Sequence, residues 1–178
     1  KVLKIPSIEE ITSGKASIQE LRPISTKELL GRESVKPDYN LIRPGIKGLN
    51  ICVTGAGGSI GSELCRQILK FKPNKIILFE ISEPSLYQIH QELTMAKESN
   101  QVEIIPILGD ITNIKFVEQV FKKNSVHIIF NAAAYKHVPL VEVNPISGIK
   151  NNVSAINTVC EVANRLNILK VVHISTDK

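Results

Sequence analysis

Asn50-Ile51-Cys52-Val53-Thr54-Gly55-Ala56-Gly57-Gly58-Ser59-Ile60-Gly61 is the stretch that decides the reading of this chain. It starts as a short apolar run of strand type and passes straight into glycines. Gly55, Gly58 and Gly61 have the spacing G-x-x-G-x-x-G, with Gly57 extra. Ile60, Leu64, Ile68 and Phe71 then follow at helical spacing. Each glycine meets a physical demand. Gly55 permits a tight turn without a Cβ clash. Gly57 and Gly58 let backbone approach a diphosphate, and Gly61 lets the helix pack close to the sheet. The free N–H groups of that helix, with Ser59 and Ile60 in its first turn, would face the phosphates at its positive end. A P-loop is excluded, because no Gly-Lys-Ser/Thr follows.

Working outward, the apolar runs Asn50–Thr54, Lys75–Phe79, Val102–Leu108, Val126–Phe130 and Lys170–Ile174 are short and nearly continuous. Strands buried on both faces read this way. Between them lie amphipathic stripes: Leu86, Ile89, Leu93 and Ala96, then Phe116, Val117, Val120 and Phe121. The longest is Ile149, Val153, Ile156, Val159, Cys160 and Ala163. Alternation of this kind predicts an α/β fold, a doubly wound parallel sheet of Rossmann type with helices on both faces and strand order 3-2-1-4-5. The pattern stops after strand five. Residues 48–178 are expected to form this dinucleotide-binding domain. Residues 1–47 are expected to be a linker with short helical turns at Ser7–Ile11 and Ser25–Gly31, broken by Pro6, Pro23, Pro37 and Pro44.

Composition bounds the rest. Of 178 residues, 43% are hydrophobic and 22% charged, which excludes disorder throughout. The 22 Lys and Arg against 17 Asp and Glu leave +5, too small and scattered an excess to imply nucleic acid. Cys52, Cys65 and Cys160 have no zinc-type spacing, so no metal is expected. All three read as small core side chains in a reducing compartment. No apolar run is long enough to cross a membrane. There is no signal-peptide pattern and no initiating Met, and both ends read as cut. The chain is therefore expected to be a piece of a longer protein, any membrane segments lying outside it.

Four more groups of residues belong to the carboxyl edge of the expected sheet. Glu80 sits about 20 residues past the glycines, where a carboxylate accepts from the adenosine ribose hydroxyls and repels a 2′-phosphate. NAD is accordingly favoured over NADP. Asp110 is placed either to bond an adenine amino group, with Ile111 packed on the ring, or to cap a helix starting near Thr112. Ala132, Ala133 and Ala134, after Asn131, leave room for a dinucleotide against the backbone, or reflect close packing alone. Lys136 and His137 follow; Lys136 is placed to neutralise a phosphate or touch a sugar, and His137 reads as a satisfied polar residue.

Thr54–Gly61, together with the run from Asn131 to Leu140 (Asn-Ala-Ala-Ala-Tyr-Lys-His-Val-Pro-Leu) and Ile174-Ser175-Thr176-Asp177-Lys178, resembles the extended short-chain dehydrogenase/reductases. Within them it is similar to the nucleotide-sugar 4,6-dehydratases of bacterial polysaccharide biosynthesis, the UDP-N-acetylglucosamine group. The resemblance covers about residues 48–178. It implies NAD as cofactor, a UDP-sugar as substrate, a cytoplasmic-side site and a parent anchored, if at all, upstream in the inner membrane. It also implies a reaction: oxidation at sugar C4, loss of the C5 proton and C6 hydroxyl, and return of hydride to C6. Carried over, Thr176 bonds the C4 oxygen, Asp177 is the acid at C6 and Lys178 the base at C5. Catalysis needs that pair neutral rather than ionised, a tautomer that burial favours. The resemblance further implies an Asn, either Asn151 or Asn152, that supports the site through the backbone.

The superfamily's Tyr-x-x-x-Lys helix, or its Met variant, falls beyond residue 178. The chain alone is therefore expected to bind dinucleotide weakly and not to turn over. An uncovered strand-five edge bearing Val171, Val172 and Ile174 invites self-association, so a homo-oligomer is expected. Alternatives on the same fold are a sugar-nucleotide epimerase or reductase, a methyltransferase that binds S-adenosylmethionine, and a dinucleotide-binding regulator without chemistry.

Overall fold

The computed structural model describes residues 3–4, 9, 12–14, 22–23, 38–96 and 101–175. Two compact units are separable, Lys1–Asp38 and Tyr39–Lys178. In the first, Leu3–Lys4 pairs antiparallel with Arg22–Pro23. Apart from Glu9, whose carbonyl accepts from the Ser13 N–H at 3.0 Å, the helical turns expected at Ser7–Ile11 and Ser25–Gly31 lie outside the described residues.

The second unit begins at Tyr39 rather than at residue 48. A helical turn, Tyr39–Ile42, and a 3-10 turn, Arg43–Gly45, lead into it. The Tyr39 ring lies 5.6 Å from that of Phe71, and Ile46 is buried in the core. The sheet strands are β1 (Asn50–Thr54), β2 (Lys75–Glu80), β3 (Glu103–Leu108), β4 (Ile128–Asn131) and β5 (Lys170–His173). They are all parallel, in the order β3-β2-β1-β4-β5. The helices are α1 (Ser59–Lys70), α2 (Glu83–Met95), α3 (Ile114–Lys123), α4 (Val138–Val143), α5 (Pro145–Ile149) and α6 (Ala155–Arg165). This is the expected doubly wound sheet. Strand four differs most from expectation: it starts at Ile128, two residues after Val126, where the apolar run begins.

Side chains alternate across the sheet, so each strand feeds two cores. Ile51, Val53, Ile76 and Leu78 pack with Cys65, Ile68 and Leu69 of α1 and Leu86, Ile89 and Leu93 of α2. Cys52, Ile77, Phe79 and Ile129 pack on the other face with Val117, Val120 and Phe121 of α3 and Val159, Val162 and Ala163 of α6. Every residue of β1 is buried, as the unbroken apolar run requires.

The long stripe starting at Ile149 is not one helix. A π-turn, Lys150–Ser154, separates α5 from α6. Its wider turn rotates the two helices out of phase. Ile149 and Val153 are consequently exposed, while the buried face of α6 is Ala155, Thr158, Val159, Val162 and Ala163. Cys160 falls off that face and is exposed, so only Cys52 and Cys65 are the core side chains expected of all three. Burial drives both of those thiols up, Cys65 to about 12. Ile60 is also exposed, because the first turn of α1 projects past the end of the sheet. Among the described residues no helix is long and apolar enough to cross a membrane.

Candidate functional site

All five strands run to one edge, and Gly55–Gly61, Glu80, Asp110 and Ala132–Ala134 follow or end strands there. Gly55 leaves β1 at φ +64°, the left-handed region where a side chain is strained. A Cβ on it would also come within 2.8 Å of the Ala133 backbone, so the loop lies flat against the start of the Ala132–Ala134 segment. A Cβ on Gly61 would overlap the Gly55 carbonyl, which explains why helix and loop approach so closely. Packing also makes a demand at Gly57. The space its side chain would fill holds Ser85 of α2, 2.5 Å from the built Cβ, so the loop is packed on α2 there. A Cβ on Gly58 would stand 3.3 Å from the Gly55 carbonyl, a tight contact with backbone.

Gly58 is the N-cap of α1, with extended backbone and no side-chain cap. The first N–H groups of a helix have no partner within it. Here the Gly58 N–H donates to the Gly55 carbonyl at 3.0 Å, while Ser59 and Ile60 are exposed, so their donors meet solvent or a ligand. At α3, by contrast, the Asn113 side chain accepts from the Phe116 N–H at 3.2 Å.

Glu80, at the tip of β2, is 8% exposed and fully engaged with backbone. Its Oε2 accepts from the Gly57 N–H at 2.9 Å. Its Oε1 accepts from the N–H groups of Ile81 at 2.9 Å and Ser82 at 3.1 Å. Asp110 follows β3. Its Oδ1 accepts from both the N–H and the hydroxyl of Thr112, each at 2.8 Å. It does not cap a helix at Thr112; α3 starts at Ile114 and its cap is Asn113. Burial pushes the Asp110 carboxyl up, but the two Thr112 bonds and the Lys150 charge outweigh it and hold the group below its usual range. Ile111 is buried in the core with α3 and α6.

Beyond β4, Ala132 and Ala133 are half-buried, and Ala134, Tyr135, Lys136 and His137 are exposed. Of the two asparagines on the π-turn, Asn152 bonds the backbone beyond β4. Its Oδ1 accepts from the Tyr135 N–H at 2.8 Å and its Nδ2 donates to the Tyr135 carbonyl at 3.0 Å. The Asn151 amide donates to Asn152 at 3.1 Å. Thr176, Asp177 and Lys178 lie outside the described residues. The chain leading to them is anchored, since the Ile174 N–H donates to the Asn131 carbonyl at 2.9 Å.

One group was not legible in the sequence. Thr54, Asn131 and His173 end three neighbouring strands in register. The Thr54 hydroxyl donates to Asn131 Oδ1 at 2.5 Å, and Asn131 Nδ2 lies 2.9 Å from His173 Nδ1. The only local signal was a polar residue at or near the end of an apolar run.

This edge, with its glycine turn, bare helix end and acidic strand tip, defines a Rossmann-type fold of the short-chain dehydrogenase/reductase kind. A solved structure agrees: dTDP-glucose 4,6-dehydratase from Bacillus anthracis, in complex with NAD, superposes with a TM-score of 0.57 at 27% identity, covering 72% of this chain and 38% of that one. Residues 51–178 match the family described as polysaccharide biosynthesis protein, and the chain belongs to that family. The capsular polysaccharide biosynthesis protein CapD of Staphylococcus aureus is 42% identical over 178 residues, all of this chain and 30% of the relative. The inverting UDP-N-acetylglucosamine 4,6-dehydratase of Campylobacter jejuni is 31% identical over 130 residues, 72% of this chain and 36% of the relative. The chain thus spans about a third of the length of these relatives.

Proposed function

We propose that this chain is the NAD-binding part of a nucleotide-sugar 4,6-dehydratase that acts on UDP-N-acetylglucosamine in bacterial polysaccharide biosynthesis. The observation that carries the reading is the bare N-terminus of α1, opening off a glycine turn beside Glu80. The similarity to CapD and to the Campylobacter jejuni dehydratase supports the choice of reaction. The site also fits the cofactor. The exposed first turn of α1, at Ser59 and Ile60, offers donors to a diphosphate.

Bound there, the nicotinamide would supply reversible hydride acceptance. The chain's own residues do the rest. Ser59 and Ile60 hold the diphosphate through backbone N–H groups, and Gly58 brings the backbone close to it. Glu80 accepts from the adenosine ribose hydroxyls, and Asp110 lies at the adenine end with Ile111 behind it. Ala132, Ala133 and Ala134 leave the backbone bare for the dinucleotide, and Lys136 supplies a cation beyond it. Thr176 holds the C4 oxygen of the sugar. Asp177 gives a proton to the departing C6 hydroxyl, and Lys178 takes the proton from C5. The work is done on the cytoplasmic side, any membrane anchor of the parent lying upstream. The chain alone binds but does not turn over.

A thermal-shift titration tests the binding. A ligand that binds only the folded state stabilises by about 2.7 kcal/mol at a hundredfold excess over its dissociation constant. NAD should give that response and NADP at the same concentrations a smaller one. An equal or larger response to NADP would contradict the role given to Glu80, and no response to either would contradict the cofactor.

A further inference from the structure

Among the described residues Glu80 is the one charged side chain that is buried, and the hydrogen bonds of its carboxylate run to backbone. A carboxylate placed only to receive a ribose would be expected to await it with free oxygens. This one instead joins two loops. Oε1 collects the N–H groups of Ile81 and Ser82, fixing the turn between β2 and α2. Oε2 collects the N–H of Gly57, in the middle of the glycine loop. The same two loops touch at a second point, where Gly57 lies against Ser85 with no room for a side chain. Ser85 is itself tied to Ser82 through their hydroxyls at 3.0 Å. Gly57, Glu80, Ser82 and Ser85 therefore form one closed patch of contacts.

We infer that Glu80 is a positioning residue: it staples the glycine loop to the β2–α2 turn before any nucleotide arrives, and so sets the shape that receives the diphosphate. This rests on the nucleotide reading above and adds a ligand-independent role to the ribose contact. Only a carboxylate serves, because all three partners are donors. In Glu80→Gln one side-chain oxygen becomes an NH2 group, and at least one loop then faces a donor with a donor. Hydrogen bonds to a charged acceptor are the stronger class, so the loss is large enough to read.

The test separates the staple from the ribose contact. In the unliganded chain, amide hydrogen exchange at Gly57 should be at least about tenfold faster in Glu80→Gln than in the wild type. Exchange at Val53 and Leu78 in the core should be unchanged, which shows that the variant is folded. Affinity is then measured for 2′,3′-dideoxy-ADP, which has no ribose hydroxyl for Glu80 to hold. It should also fall about tenfold in the variant, as expected for loss of one charge-assisted bond. Unchanged exchange at Gly57 would overturn the staple. So would unchanged affinity for the dideoxy nucleotide in a variant that binds ADP less well, since Glu80 would then act through the ribose alone. Faster exchange at Gly57 in a chain that binds no adenine nucleotide would uphold the staple and defeat the nucleotide reading instead.

Discussion

The two edges of the same sheet handle their polar groups in opposite ways. At the amino edge, Asn50 is nearly fully buried and closed on itself. Its Nδ2 donates to the carbonyls of Asn124 and Ser125, both at 2.9 Å, and its Oδ1 accepts from Asn74 at 2.8 Å. Its N–H donates to His127 Nδ1 at 3.0 Å. At the carboxyl edge, Glu80 and Asn131 hold the loops in place, yet α1 begins with an uncapped, exposed turn. Saturated polar groups stabilise and offer nothing to a ligand. Free donors at a helix end cost stability and are kept where something binds. The difference supports the proposed placement of the site at the carboxyl edge.

Substitutions should separate the two edges. The largest effect is expected from Gly61→Val, which forces α1 away from the Gly55 carbonyl. ADP affinity by calorimetry should fall beyond detection, while overpacking costs about 1–3 kcal/mol of stability. Asn50→Ala should do the reverse. Stranding buried partners costs about 3 kcal/mol in urea unfolding, with nucleotide affinity within about twofold of wild type per molecule of folded chain. If Asn50→Ala abolished binding selectively, the division between edges would be wrong.

Smaller effects sharpen the comparison. Glu92→Ala removes the carboxylate that Arg66 grips at 2.5 Å on the exposed faces of α1 and α2. The loss should be about 0.5 kcal/mol, as for other surface pairs, and should shrink with salt. The smallest effect is at Asp110. Its folded carboxyl lies below the ordinary 3.8, so its stabilisation is present above that value and is lost as pH falls through the folded one. The stability difference between wild type and Asp110→Asn should be level above about pH 5 and close only in acid. A difference that changed instead across neutral pH would mean that another group, such as a histidine, is coupled to the site.

The sheet was legible because strands buried on both faces write themselves as unbroken apolar runs, as Ile76–Phe79 does. The glycine turn was legible because its demands are local. What escaped is non-local or a matter of phase. Thr54 meets Asn131 across 77 positions, and nothing in either neighbourhood announces the pair. The π-turn at Lys150–Ser154 adds to a turn without any proline or glycine inside it, so the stripe from Ile149 to Ala163 read as a single helix. The packing demand at Gly57 escaped because its neighbour Ser85 belongs to a different helix. The same distance hid the bond from Gly57 to Glu80.

The most direct check is a titration of the isotope-labelled chain with ADP, followed through its backbone amide resonances. The largest shifts should fall at Gly55–Gly61, with a second group at Glu80–Ser82, and the amino edge around Asn50 and His127 should stay silent. Shifts centred on the amino edge, or none at the glycine turn at saturating ADP, would contradict the placement of the site.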